Sequence, residues 1–552
     1  MNRLEAQKRG RHRLQFEVSD LTGGFVSQTA TFTIDEKFAE DVQNMELVQG
    51  MWQKRKGFNY VGSYFPVVNT PGTSKGMHVF NQREHMYVLS VYGSILYSTY
   101  QLSKNNSGKV LYNRIPNAVS RVRFADFDNY CYIAHGKGNL LRFDGNSVSE
   151  VPSPSGNVLA VYNNRLLIGG LISDPMTFYY SKRGNAESWN ALDYVTLDGG
   201  SGERITAMIP LLGKLFIFTN RAIYSLVGDL ESFSVTKEVN GIGAVSAEAV
   251  YEHGSIFYFV SEDGKIYQFD GGNYPVEISK YISHYLQSEL TFNAIKNVVT
   301  THHKNSIWFT FDNTSNPERR LTLVYFPEYK AWSKFIGIPA AHYVHINDAL
   351  FFTGSHNSGA IYQYGTKYMD DLSPIKARLK TTKWSFAALE NIKRFKTLYV
   401  RGAVQGGGGN GFDIEFYVDD SLTATVKATN EIASENELWG NNNKWGEMYW
   451  GYAAKSSGVI WGQARWNEFD WGQSERKFAP RWGGAVWKSF IWGDHKEGTL
   501  RDDVSMVYRK IYLSQYNIIS GKTLQLVFKD DSPDHGFRLE YLLLEFIQKG
   551  AR

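Results

Sequence analysis

The sequence predicts an all-β protein: a β-propeller of six or seven blades, then a C-terminal β-sandwich carrying a Trp-Gly-rich insertion. Three observations lead there. Aromatic residues make up 15% of the chain, chiefly 34 Tyr and 34 Phe, and such residues suit a pleated, half-buried surface. Gly is plentiful at 51 and Pro scarce at 14, as expected of many short strands joined by tight turns. Most telling is a repeated unit: polar turn, short apolar strand, second turn, second apolar strand.

The unit appears first as Met86 to Leu89 and Ile95 to Tyr97, then as Tyr130 to Ala134 and Asn139 to Phe143. It returns at Arg165 to Gly169 with Thr177 to Tyr180, and at Lys214 to Phe218 with Ala222 to Tyr224. Three further copies follow: Ser255 to Val260 with Lys265 to Phe269, Ser306 to Phe311 with Leu321 to Phe326, and Ala349 to Phe352 with Ala360 to Tyr364. Second strands echo one another, Ile266-Tyr267-Gln268-Phe269 against Ile361-Tyr362-Gln363-Tyr364. Starts lie roughly 35 to 50 residues apart, the length of a four-stranded propeller blade. Arg121 to Phe124, Ile205 to Ile209 and Ala331 to Phe335 supply further strands. No blade can bury both its faces alone, so strands such as Leu215 to Phe218 are apolar on both sides.

The pattern assigns residues 1–60 to an N-terminal arm with the first strands and 61–372 to the propeller. Longer strands follow at Lys376 to Phe386, Lys393 to Val404 and Phe412 to Val418, and resume at Val507 to Leu513, Thr523 to Phe528 and Phe537 to Ile547. Segments 373–430 and 505–552 therefore read as one β-sandwich, interrupted at 431–504. Nine of the 14 Trp lie in that interruption: Trp439, Trp445, Trp450, Trp461, Trp466, Trp471, Trp482, Trp487 and Trp492, seven of them followed by Gly. The spacing fits short strands with stacking indoles, each stacked pair contributing about 1 kcal/mol beyond burial. These nine are the candidate subunit or partner interface. Stapling of an extended arm and sugar stacking are the competing readings.

Composition narrows the chemistry. With 59 basic and 55 acidic residues the net charge is +4, too balanced to argue for nucleic acid or an anionic membrane. The basic cluster Lys8, Arg9, Arg11, Arg13 reads as a solvated arm. No apolar run follows it, and no stretch is long enough to span a membrane. The single cysteine, Cys131, sits in a strand-like run and reads as a small core residue of a protein made in a reducing cytoplasm. Gly406 to Gly409 lacks the Lys-Ser/Thr and helix of a phosphate-binding loop. His302 and His303 are adjacent on a strand and so point to opposite faces. The pairs Asp370-Asp371, Asp419-Asp420, Asp502-Asp503 and Asp530-Asp531 fit turns better than a glycosidase. The sequence thus gives no catalytic residues, no cofactor and no metal: not an enzyme.

The order of segments carries a resemblance. Asp20-Leu21-Thr22-Gly23-Gly24-Phe25 is followed by Gln43-Asn44, Gly50 and Lys54-Arg55-Lys56-Gly57-Phe58. Tyr162-Asn163-Asn164-Arg165-Leu166 comes next, with Tyr179-Tyr180-Ser181 and Trp189. Gly202-Glu203-Arg204, Gly228-Asp229, Val324-Tyr325-Phe326 with Ala331-Trp332-Ser333, and the ending from Gly536-Phe537-Arg538-Leu539 to Lys549-Gly550-Ala551-Arg552 complete the series. This order resembles phage tail nozzle proteins (tail tubular protein B) and related phage propeller proteins. The family often has Pro between its Arg and Gly, where this chain has Lys56. The Trp-Gly insertion matches no motif of the family. The resemblance implies a structural subunit of a phage tail or neck, ring-forming with a hexamer favoured, around the channel used in genome ejection. The implied partners are copies of itself, neighbouring tail or neck proteins, and DNA passing without sequence-specific binding. The implied location is the virion, after assembly in the host cytoplasm. A receptor- or carbohydrate-binding propeller is the alternative, and a propeller hydrolase the third reading.

Overall fold

The structure, a computed structural model, describes residues 13–27, 34–63, 73–83, 85–99, 108–312, 320–354, 359–365, 367–386, 389–405, 411–428 and 504–548. Strands dominate them, and the repeated unit of the sequence is a propeller blade. Six blades are each made of four consecutive antiparallel strands, within residues 74–112, 123–151, 158–196, 205–240, 250–277 and 299–336. A seventh has only three consecutive strands, Ala340–Ile346, Ala349–Gly354 and Ala360–Tyr364. Its fourth strand is Phe58–Ser63, from the far end of the chain. The first strands of successive blades surround the channel, and Ala340–Ile346 packs beside Ser74–Gln82 to close the ring.

The seven sequence copies are the second and third strands of the seven blades. These are sandwiched on both faces, which is why their runs are continuously apolar: Leu215, Phe216, Ile217 and Phe218 are all buried. Between blades 3 and 4 lie Leu167, Met208, Leu215 and Ile217. Between blades 4 and 5, Phe216 and Phe218 meet Phe257 edge-on at 5.1 and 5.3 Å. Each such side chain contributes about 1.5–3 kcal/mol on burial. Turns follow their residues: Asn163 and Asn164 both have positive φ (48° and 57°), the conformation that a two-residue hairpin turn demands and Asn tolerates. Two short helices, Ser283–Glu289 and Phe292–Lys296, connect blades 5 and 6, the second capped by the Thr291 hydroxyl accepting from the Ala294 amide.

Beyond the ring the two chain ends interweave. Phe38–Gln43 pairs with the outer strand of blade 6, Ala331–Ile336, and on its other side with Ala377–Thr381. The sheet continues through Leu524–Asp530 and Phe412–Val418 to Ser421–Ala428. A second sheet joins Met45–Val48 and Met51–Lys54 to Gly536–Gln548, Lys393–Gln405 and Val504–Tyr512, with Leu14–Val18 alongside Gly536–Gln548. Phe412 belongs to the first sheet and Phe537 to the second; their rings stack at 5.0 Å. The strands expected as one C-terminal sandwich are thus paired with N-terminal strands in both sheets, and the first sheet runs on from blade 6.

Buried charges lock this joint. The Arg55 side chain is fully buried. Its guanidinium places every N–H: Nε donates to Asn44 Oδ1 (2.9 Å), Nη1 to Asp370 Oδ1 (2.8 Å) and Lys56 O (3.0 Å), Nη2 to Asp370 Oδ2 (2.5 Å) and Ile336 O (3.0 Å). Burial lowers its pKa, but the Asp370 charge and hydrogen bonds outweigh that and hold it above the ordinary value. Asn44 sits at φ 54° and donates from its side chain to Lys376 O (2.9 Å). At Gly57 a Cβ would lie 1.8 Å from the Met369 carbonyl oxygen, so no side chain fits. Beside them Lys54 is buried against Asp530 (3.4 Å) and donates to Ser532 O (2.6 Å).

Candidate functional site

The channel is the candidate site. Its walls are first strands of blades 1, 2, 6 and 7 and the approach to blade 5, enclosing a cavity of about 470 Å³. First strands lie innermost in each blade, so their side chains, which alternate between the two faces of the sheet, border the channel. Blade 2 thereby places Arg123 opposite Glu248, which lies in the short turn Ala247–Ala249 before blade 5. Arg123 grips that carboxylate with both terminal nitrogens, Nη2 at 2.5 Å from Oε2 and Nη1 on Oε1. Arg121 adds a longer contact to Glu248 (3.5 Å) and donates to Asn297 O (2.8 Å). Blades 2 and 5 are not neighbours, so this ion pair is a strut across the channel. Paired and desolvated, it is costly to break from one side only. His342 is buried next to it; burial, then the charges of Arg121 and Arg123, hold its pKa well below 6.5, so it is neutral.

A second group borders the cavity through His345. The imidazole of His302 stacks between His253 (4.7 Å) and His345 (4.4 Å), one ring each from blades 5, 6 and 7. The Tyr251 hydroxyl is 2.6 Å from His302 Nδ1, and the Thr301 hydroxyl 3.3 Å from His345 Nε2. Burial, then the neighbouring imidazoles, lowers the His302 pKa to about 4. His303 points the other way, against Trp308 and Tyr364; burial and then Lys304 take it to about 4. The two adjacent histidines diverge, as strand geometry requires. What the sequence did not reveal was that His302 would meet partners from two other blades.

A third group joins blades 1 and 2. His78 Nε2 is 2.8 Å from Asp126 Oδ1, and Cys131 lies against both. Among the described residues this is the set of ligand-type side chains whose donor atoms all lie within 4.8 Å of one another. Cys131 is buried in the apolar cluster between these blades, as expected of a core residue; of its polar neighbours, Asp126 stands opposite it on the paired strand and His78 comes from the first strand of blade 1.

Chemically the channel offers imidazole nitrogens, threonine hydroxyls and one Arg-Glu strut, a surface that hydrogen-bonds small polar groups. The nine tryptophans of the sequence-predicted interface all lie outside the described residues. Of the acidic pairs, Asp419 and Asp420 form a turn with positive φ (46° and 69°), and Asp419 Oδ1 accepts from the Lys522 and Thr523 amides. Asp370 and Asp530 instead neutralise buried Arg55 and Lys54. Asp502-Asp503 is outside the described residues.

The residues behind the family resemblance are fasteners between blades. Arg165 donates to Ser181 O (3.1 Å) and pairs with Glu231 (2.5 Å), tying blade 3 to blade 4, while the Tyr162 hydroxyl reaches Gly213 O and Gly228 O, both at 3.0 Å. Arg204 meets Glu262 (2.8 Å) between blades 4 and 5. Trp332 donates to Ile278 O (3.0 Å), and Ser333 to Met45 O (2.6 Å). At Gly24, φ is +75° and a Cβ would stand 2.6 Å from the Trp332 amide nitrogen.

No protein-family model matches the chain, and no curated protein does. Solved propellers are distantly similar. The Neurospora crassa Pan2 WD40 domain shares 8% identity over 57% of this chain and 97% of its own, at a TM-score of 0.37. The structure of YCF48 bound to D1 peptide shares 12% over 57% and 98%, at 0.35. The extracellular domain of a hybrid two component system from B. thetaiotaomicron shares 12% over 69% and 48%, at 0.39. Similarity at this level bears on no activity.

Proposed function

We propose that this chain is a structural subunit of a bacteriophage tail or neck, assembled with copies of itself into a closed ring around the path of the ejected DNA. One observation supports the reading: residues that resemble the tail nozzle family sit at constrained positions of the fold. Gly24, Asn44, Arg55 and Gly57 meet at the joint of the chain ends, and Arg165, Arg204 and Trp332 fasten successive blades. A shared order of such positions reflects a shared architecture rather than composition. In this reading the DNA runs through the centre of the ring, because the Arg123–Glu248 strut crosses the propeller's own channel. Function then resides in subunit interfaces, with no catalytic group. A closing ring uses two different patches on every subunit, and six copies is the favoured number.

Native mass and negative-stain images of the purified chain test this. The expected result is a ring with a central opening at an integer multiple of 62.8 kDa. A single-chain particle at every concentration, including in mixtures with neck and tail proteins, overturns it. The polar channel cavity favours a second reading, a receptor- or carbohydrate-binding propeller. Glycan-array binding that is lost on replacing Thr300 or His345 with Ala supports that one instead.

A further inference from the structure

We propose that His78, Asp126 and Cys131 form a site for one borderline-soft divalent metal ion, of the Zn²⁺ class, between blades 1 and 2. The backbone sets two of the ligands. Asp126 and Cys131 are directly opposite one another in the antiparallel pair Arg123–Phe127 and Tyr130–Ala134, so their side chains leave the same face side by side. The third comes from the adjoining blade. On Ser74–Gln82, Gly76, His78 and Phe80 alternate toward blade 2; Gly76 has room only for hydrogen beside Phe124, and Phe80 packs with Cys131. The His78 ring lies flat on Phe124 (5.3 Å, 8° between planes), which fixes its orientation with Nε2 toward Asp126.

All three donor atoms lie within 4.8 Å of one another. Around a tetrahedral ion with bonds of about 2.0–2.3 Å, donors stand roughly 3.2–3.8 Å apart, so small side-chain rotations close the site. A sulfur, an imidazole nitrogen and a carboxylate favour Zn²⁺ or Co²⁺ over Mg²⁺ or Ca²⁺. On binding, Cys131 releases its thiol proton to solvent, and thiolate and carboxylate together balance the two positive charges. Cys131 is buried, whereas the His78 and Asp126 side chains are 28% and 43% exposed. The ion therefore has an approach from solvent and keeps a fourth position open on that side. Its effect on the fold is a cross-link between two blades that otherwise meet through apolar packing and hydrogen bonds such as Gln82 to Asn129 O and Asp144 O.

The test uses the full chain, stripped with a chelator and titrated with Co²⁺, then with Zn²⁺. The expected result is one Co²⁺ per chain, with a thiolate-to-cobalt charge-transfer band that Zn²⁺ bleaches. Cys131→Ser abolishes the band. Asp126→Asn, which preserves shape at a solvent-facing position, and His78→Ala each weaken affinity more than about tenfold. Zn²⁺ raises the melting temperature of the native chain and leaves that of Asp126→Asn unchanged. Absence of stoichiometric binding overturns the proposal. So does a complex without the thiolate band, or one whose affinity is unchanged in Asp126→Asn.

Discussion

In blades 2 to 5 each strand pairs with its neighbour in sequence, and blade meets blade through apolar side chains such as Ile217, Phe257 and Leu167. Where the chain ends meet, strands more than 300 residues apart share sheets. Buried charges sit among them: Arg55 with Asp370, and Lys54 with Asp530. The two regions are held by different physics. Apolar packing is divisible, since each blade pair buries its own surface and a lost methylene is felt locally. The joint is not divisible, because removing one partner of a desolvated pair strands the other. A ring of repeats can thus be regular over most of its circumference and still depend on one irregular closure.

The comparison can be broken at its strong side first. Arg55→Ala removes five hydrogen bonds and leaves Asp370 mostly buried and unpaired; a loss of about 3–5 kcal/mol is expected in urea unfolding. The double variant Arg55→Met with Asp370→Leu should recover a large part of it, because no charge is then stranded. Failure of that recovery would mean that shape, and not charge pairing, decides the joint.

The first strand of blade 6 gives a pH-dependent effect of intermediate size. His302 and His303 have folded pKa values of about 4 against an ordinary 6.5. Depressed values mean that folding favours the neutral rings. Their contribution is fully present above about pH 6.5 and is lost as pH falls toward 4. Around His302 lie His253, His345, Tyr251 and Glu252, and beside His303 lies Lys304. Allowing for partial exposure, stability should fall by about 1–2 kcal/mol between pH 7 and pH 5. His302→Phe should reduce that slope, and an unchanged slope would refute the assignment.

Within a regular blade the effects shrink. Ile217→Val, at a fully buried position of blade 4, should cost about 0.5–1.5 kcal/mol without altering the steepness of the transition. The Arg204–Glu262 pair between blades 4 and 5 is 45% and 31% exposed. Arg204→Gln should cost less than about 1 kcal/mol, the size usual for surface pairs. A larger loss would show that this exposed pair holds its two blades more firmly than apolar packing alone.

This division also explains what was legible in the sequence. Second and third strands of each blade are covered on both faces, so Leu215 to Phe218 or Phe257 to Val260 stand out as continuous apolar runs. First strands carry polar residues to the channel, as His345 and Arg123 do, and fourth strands such as Ser232–Asn240 are largely solvated; both are fainter. The exchange of strands between the chain ends leaves no local trace. Phe38–Gln43 reads as a polar stretch, Phe-Ala-Glu-Asp-Val-Gln, though Ala39 and Val42 are wholly buried beneath blade 6's neighbour strands. Nothing in Lys54-Arg55-Lys56 announces that the first two are buried. The histidine group was missed for a similar reason: His253, His302 and His345 come together only once blades 5, 6 and 7 pack side by side.

The most direct test of this account is amide hydrogen exchange on Arg55→Ala beside the native chain. If the network around Arg55 closes the ring, protection should fall together in Phe38–Gln43, Phe58–Ser63, the blade 7 strands and Ala377–Thr381. Blades 2 to 4 should keep native protection. A uniform loss over all blades, or a loss confined to residues touching Arg55, would contradict it.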